Sequence, residues 1–417
     1  TATPKHFAVV GGGPAGMAAA LSARDNGADV VLIERDKRLG GILNQCIHPG
    51  FGLAVFGQEL TGPEFAGRYI QRIRETDIKV MLGTIALSLS KDGTAVAQSE
   101  EGIQEIRAKA VVLATGCRER PRGAINIPGT RPAGVFSAGT AQKLINCCGY
   151  LPGKRAVILG SGDIGLIMAR RLTLEGAKVE AVCEILPYSS GLKRNIVQCL
   201  DDFGIPLLLS HTVTRIFGKD RLSGVEISKV DESRKPIKGT ERRIDCDLLL
   251  LSVGLKPEIE LCVDAGIEID PVTGGPYVDD RMETSAPGIF TCGNGLHVHD
   301  LADYAAEEGE RAGKNAAEYA KSITKNSALA VKCYKVRAGR GVLSVVPQYV
   351  SSGEALISIR VSEPVNNAEL LVLSGGDIIK RVKKLSFTPG EMVRIPVKGI
   401  TSDVTVELKR KGVAAGG

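Results

Sequence analysis

The 417-residue sequence contains no tryptophan and only 4% aromatic residues. A surface of basic residues interleaved with aromatics, the usual footprint of nucleic-acid recognition, is therefore not expected. None of the ten cysteines are spaced as C-x-x-C, which argues against a zinc ribbon or a thioredoxin-like dithiol. Cys147 and Cys148 read as ordinary thiols rather than as a strained vicinal disulfide. No apolar run approaches the ~18 residues that span a bilayer, and no charged-then-apolar segment opens the chain. A reducing cytoplasm is the simplest setting.

Glycine, by contrast, is abundant at 50 residues, which suits a fold with many tight strand-to-helix turns. The net charge of +6 is unevenly placed. Residues 331–417 carry 14 Lys/Arg against 7 Asp/Glu, while the preceding 330 carry 39 against 40. A basic C-terminal segment is either a solvated surface or a docking face for an acidic partner.

The chain reads as a loose repeat of one α/β architecture followed by a β-rich tail. HFAVV, GGGPAGMAAALSARDNG and ADVVLIE form a strand–helix–strand unit. A helix pattern follows at 63–76, and residues 77–110 alternate around turn signals as an antiparallel meander. A second strand–helix–strand unit starts at Arg155 and closes near CDLLLLSVGLKPE at 246–258. From about residue 331, short alternating strands separated by PVNN, SGGD and TPGE predict a β-sandwich. The last residues, GVAAGG, are expected to be disordered.

Both units carry glycine-rich turns. Gly11-Gly12-Gly13-Pro14-Ala15-Gly16 fits G-x-G-x-x-G, and Glu34 stands 18 residues after Gly16. Such a turn brings backbone N–H groups to a pyrophosphate, and an acid at the end of the second strand accepts ribose hydroxyls. The second turn is Gly160-Ser161-Gly162-Asp163-Ile164-Gly165. The same count from Gly165 reaches Cys183, and Glu184 lies one residue further. No Arg or Lys follows immediately to hold a 2′-phosphate, so NADH is expected over NADPH.

The order VVGGGPAG…LIE, VVLATG, VILGSGDIG, LLLLSVG and GIFTCGN resembles the pyridine nucleotide–disulfide oxidoreductase superfamily over residues 1–322. The resemblance implies two Rossmann-like domains plus a small C-terminal all-β domain. It places a discontinuous FAD-binding domain at 1–150 and 266–325, an NAD(P)-binding domain at 151–265 and the β-domain at 330–413. It implies FAD contacts from Gly11, Gly13, Pro14, Ala15, Gly16, Glu34, Arg35, Gly41, Ala114, Thr115, Gly116, Gly293 and Asn294. Gly160, Gly162, Asp163, Ile164, Gly165, Glu184 and Gly254 would serve NAD. Asn294 departs from the superfamily, which usually places Asp there for the ribityl chain.

GGILNQCIHPGFG, ATGCRERPRG and GNGLHVHDL resemble a narrower group. It includes flavin subunits of opine, proline and cyanide-forming amine dehydrogenases, and bacterial oxidoreductases found with glycerol-3-phosphate dehydrogenase-type flavoproteins. In the dithiol enzymes two cysteines follow the glycine pair at offsets two and seven. Here those positions are Leu43 and His48, with Cys46 at offset five, so disulfide reduction of that type is not expected. Cys46, His48, His297 and His299 are the catalytic candidates. The histidines would move protons near the flavin, the alternative being a hydrogen-bonded structural role. The HVHD run offers His297, His299 and Asp300 to a metal, but no further ligand set accompanies it, and none is assigned.

Three functions compete: an FAD enzyme exchanging hydride with NAD(H) and serving a partner flavoprotein or other acceptor; a flavin subunit of an amine or imino-acid dehydrogenase; and a non-catalytic nucleotide-binding subunit. Because both glycine-rich turns precede residue 322, the β-domain is expected to serve partners rather than hydride transfer.

Overall fold

A computed structural model describes residues 7–323 and 333–410. The expected domain limits at 325 and 330 and the GVAAGG tail lie outside them. The chain forms two compact units, Thr1–Cys117 with Pro257–Gly417, and Arg118–Lys256.

The first unit is built on a parallel sheet. Its strands lie in the order Ile289–Thr291, Ala110–Leu113, Phe7–Val10, Val30–Ile33 and Lys79–Met81. The three strands at the centre of the sheet are buried throughout, as expected where both faces are covered. The meander of Ile85–Leu89, Thr94–Ser99 and Gly102–Arg107 covers one face.

On the other face lie the first helix, Pro14–Asp25, and the long helix, Ala302–Ile323. These two helices meet on small residues: Ala15, Ala19 and Ala23 from one, Ala305, Ala312 and Ala316 from the other, all buried. A Cβ on Gly309 would lie 2.1 Å from the Ala15 carbonyl oxygen. The glycine is therefore required by the closeness of the two backbones, which sets the long helix against the first glycine-rich turn.

The helix expected at 63–76 runs Gly62–Arg74. A capping box starts it, with Thr61 and Glu64 bonded reciprocally.

The C-terminal segment forms the expected sandwich. One sheet orders Tyr349–Val350, Tyr334–Ala338, Val404–Arg410, Val365–Ser374 and Asp377–Phe387; the other orders Val342–Val346, Glu354–Val361 and Val393–Lys398. Ile357, Ile359, Leu370, Val372, Ile395 and Val406 fill the space between them. The sandwich also touches the rest of its unit. The Gln348 side chain donates to Asp270 at 3.1 Å, and Ser351 donates through its backbone to Asp280 at 2.6 Å.

The second unit repeats the parallel sheet, in the order Val135–Ser137, Leu248–Leu251, Arg155–Leu159, Lys178–Glu184 and Leu207–Leu209. Helices Ala138–Cys148 and Asp163–Leu174 pack on one face. The other face is covered by an antiparallel sheet of His211–Gly218, Leu222–Lys229 and Arg242–Ile244. Sequence reading passed over this sheet.

Candidate functional site

The first turn is shaped by contacts that allow no side chain. Gly11 adopts φ +109°, and a Cβ there would lie 2.3 Å from the Ala114 carbonyl oxygen. Gly13 differs, because a Cβ on it would meet nothing within 4 Å. It caps the first helix without a side-chain hydrogen bond, and Pro14 opens that helix. The first-turn N–H groups there are thus left for an anion. Gly41 begins a short 3-10 helix, Gly41–Gln45, over this turn; its Cβ would lie 3.1 Å from the Gly13 Cα.

Glu34 is buried at the end of its strand. Its carboxylate accepts from the Gly12 amide at 2.6 Å and the Asp36 amide at 2.7 Å, one on each oxygen. Each oxygen keeps acceptor capacity for a ribose hydroxyl. Arg35 points outward toward Glu258 at 3.9 Å. Thr115, between Ala114 and Gly116, donates to the Glu258 carbonyl at 2.8 Å.

The second unit holds the same device. Gly160 adopts φ +98°, with Ser252 against it. Gly162 caps helix Asp163–Leu174, also without a side-chain bond. Glu184 is buried and accepts from the Ser161 amide at 2.9 Å, the Ser161 hydroxyl at 2.6 Å and the Leu186 amide at 3.0 Å. Ser161 therefore stands where Gly12 stands, and Glu184 where Glu34 stands. The extra residue in the count has a visible cause. The pairing of Arg155–Leu159 with Lys178–Glu184 shifts between Ala156 and Val157, which pair with Val179 and Ala181 and leave Glu180 as a bulge.

Asp163 braces its surroundings rather than facing outward, accepting from the Leu192 amide at 2.8 Å and from Asn195 at 2.7 Å. Ile164 packs against the core of this unit. Gly165 donates to the Ser252 hydroxyl at 3.1 Å, and Gly254 accepts from the Arg120 amide at 3.0 Å.

Among the described residues, which include all ten cysteines, no disulfide is formed. Cys46 is buried, with its thiol 3.3 Å from the Ile42 carbonyl. Burial pushes the Cys183, Cys246 and Cys262 thiols up to about 12 and Cys199 to about 11, so none of these four is a thiolate near neutrality. His48 lies beside Phe51 with ring centroids 5.1 Å apart and planes tilted by 38°, and its Nδ1 lies 2.9 Å from the Pro49 carbonyl oxygen.

His297 and His299 converge on Glu308 of the long helix, a residue that sequence reading missed. His297 Nε2 lies 3.0 Å from Oε1, and His299 Nε2 lies 3.4 Å from Oε2. The Gly293 amide donates to Oε2 at 2.8 Å, and Arg311 stands 3.8 Å from Oε1. Burial alone would raise the Glu308 carboxyl, but His299 and His297 hold it well below the usual carboxylate range. Burial lowers His297, against the pull of Glu308. His299 Nδ1 lies 2.9 Å from the His297 carbonyl oxygen.

The ligand atoms of His297, His299 and Glu308 lie within 4.8 Å of one another. The Glu308 carboxylate of this group is also engaged by Arg311 and by the Gly293 amide. Asp300, the third ligand considered from sequence, is elsewhere: it pairs with Arg360 of the sandwich. Asn294 accepts from the His299 amide at 2.9 Å, and its amide nitrogen lies 3.5 Å from the Cys117 sulfur.

Two glycine-capped helix starts, each below a buried acid at the end of the second strand, define a protein with two dinucleotide-binding cradles. The family model of pyridine nucleotide-disulphide oxidoreductases matches residues 5–309, and the chain belongs to that family, a family of FAD/NAD(P)-binding oxidoreductases. It is 25% identical over 322 residues to hydrogen cyanide synthase subunit HcnB of Pseudomonas protegens, covering 73% of this chain and 66% of that protein. The chain spans about two thirds of the length of the curated relatives it matches.

In fold it is similar to thioredoxin reductase of T. acidophilum, at 24% identity and TM-score 0.62, over 77% of this chain and 99% of that one. It is also similar to an NAD-dependent persulfide reductase from A. fulgidus, at 20% identity and TM-score 0.59. That match covers 98% of this chain and 74% of the other, so it extends through the sandwich. Among the described residues no helix is long and apolar enough to cross a membrane.

Proposed function

We propose that the chain is an FAD-dependent oxidoreductase that exchanges a hydride with NAD(H) and passes electrons to or from a partner flavoprotein or other acceptor. The observation that carries this reading is the equivalence of Glu34 with Glu184, each tied to the second residue of its own glycine-rich turn. Glu34, Gly13 and the first-helix amides would hold FAD. Glu184, Gly162 and the amides of Asp163–Leu174 would hold NADH, with Glu184 repelling a 2′-phosphate. Bound flavin supplies the redox chemistry, and the protein supplies orientation and electrostatics. Residue resemblance favours a glycerol-3-phosphate-oxidising complex as the setting, and a cytoplasmic one.

Likeness to the cyanide synthase subunit supports a second reading, a flavin subunit of an amine or imino-acid dehydrogenase. Rapid mixing of purified, FAD-loaded protein with NADH separates the two. Bleaching of the flavin within the mixing experiment supports the first. A flavin bleached by an amino or imino acid but not by NADH supports the second. Protein that retains no flavin leaves only the nucleotide-binding subunit.

A further inference from the structure

The loop Gly293–Gly295 and the turn that follows it, through Asp300, are held from two sides. From beneath, Glu308 takes the Gly293 amide, and His299 reaches Asn294 through its backbone. From the other side comes the C-terminal sandwich. Arg360, on strand Glu354–Val361, pairs with Asp300 and donates to the Val298 carbonyl at 3.0 Å. Its other terminal nitrogen donates to the Pro389 carbonyl at 3.0 Å. The Met392 amide donates to the second Asp300 oxygen at 2.6 Å. Arg394 meets Glu307 at 2.5 Å and lies over the Tyr304 ring, 4.2 Å from its centroid.

Asp300 thus has each oxygen occupied by the sandwich, one residue beyond His299. Both Arg360 and Asp300 are largely buried, at 19% and 10% side-chain exposure, so this contact is shielded from solvent far better than an ordinary surface pair. Sequence reading assigned the sandwich to partners alone. The contacts also join it to Val298 and Asp300, a few residues beyond the turn that carries Gly293 and Asn294.

We propose that Arg360 is a positioning residue for the flavin-binding loop, acting through Asp300 and His299 on Asn294, so that the sandwich completes the flavin site. The inference rests on the FAD reading given above. Asn294 makes the loop sensitive to this clamp. Its oxygen is fixed by the His299 amide, which leaves its nitrogen as the donor, and rotation of the 298–300 turn would release that orientation.

The test uses the full-length chain with Arg360→Met, Asp300→Asn and Arg360→Lys. Two quantities are read: the FAD dissociation constant, and the visible circular dichroism of the bound flavin at saturating FAD. Arg360→Met and Asp300→Asn should each raise the dissociation constant about tenfold, the scale of one charge-assisted hydrogen bond. Both should change the visible spectrum in the same way, and the double variant should be no worse than either alone. Arg360→Lys keeps the charge opposite Asp300 and should recover most of the affinity. A wild-type affinity and spectrum in folded Arg360→Met overturns the clamp while leaving the FAD reading intact. If Arg360→Met does not fold, the same result in Asp300→Asn overturns it. Wild-type protein that binds no FAD overturns both readings.

Discussion

Glu308→Gln keeps the shape of the side chain and removes its charge. The carboxylate divides four partners between two oxygens: His297 and Arg311 on Oε1, Gly293 and His299 on Oε2. An amide offers one oxygen and one NH2 group. Whichever way it rotates, its NH2 group faces an obligate donor, Arg311 on one side or the Gly293 amide on the other. Removing one partner from a buried charged cluster costs about 3–5 kcal/mol. For a unit of this size, each kcal/mol lowers the melting temperature by roughly 2 °C. Thermal unfolding at pH 7 should therefore shift down by about 6–10 °C. A shift below about 2 °C would refute the claim that the carboxylate anchors this cluster.

The acid limb gives a second reading of the same cluster. The folded Glu308 carboxyl is depressed, so its contribution is present above its unfolded value and lost as pH falls through the folded one. His297 is also depressed when folded, so the unfolded chain binds the extra proton below its ordinary range and stability falls there too. Both effects make wild-type stability drop on acidification, starting in the usual histidine range. Glu308→Gln should flatten the lower part of that slope.

Gly13→Val should abolish FAD retention, because the added side chain fills the space its missing Cβ leaves open; a flavin-replete variant, judged by absorbance, would displace the first site. Glu184→Ala should narrow the preference of flavin reduction for NADH over NADPH, measured by stopped flow; a wild-type preference for NADPH would show the ribose contact misplaced. Cys46→Ser should leave NADH-to-dye electron transfer largely intact, and anaerobic titration should stop at two electrons per FAD, whereas His48→Ala should lose tenfold or more in rate. Four-electron uptake would return the cysteine to the mechanism.

The strand–turn–helix units were legible because glycine, apolar strands and a terminal acid recur in order. Glu184 was harder, since a fixed count from Gly165 ignores the bulge at Glu180, which only the pairing reveals. The antiparallel sheet from His211 to Ile244 joins a local hairpin, His211–Gly218 with Leu222–Lys229, to a third strand, Arg242–Ile244, and its turns resemble ordinary loops. Glu308 was hidden among Glu307 and Glu310 on the same helix. Which of the three turns inward depends on the close seat of the long helix against Ala15. Arg360 was invisible for a similar reason: its partner Asp300 lies 60 positions away. His297 and His299 were singled out by the run in which they occur, but their shared carboxylate was not.

The seam between the first and long helices also constrains the order in which the chain assembles during synthesis. The first helix begins at Pro14, while the glycine that lets its partner approach is Gly309. The edge strand Ile289–Thr291 of the same sheet also comes late. All of Arg118–Lys256 is therefore made before the first parallel sheet can close. When synthesis has reached residue 270, every strand of the second unit's parallel sheet has been made, while the first unit still lacks an outer strand and one helical layer. That intermediate exposes the alanine face of the first helix to solvent and chaperones until the final third of the chain arrives.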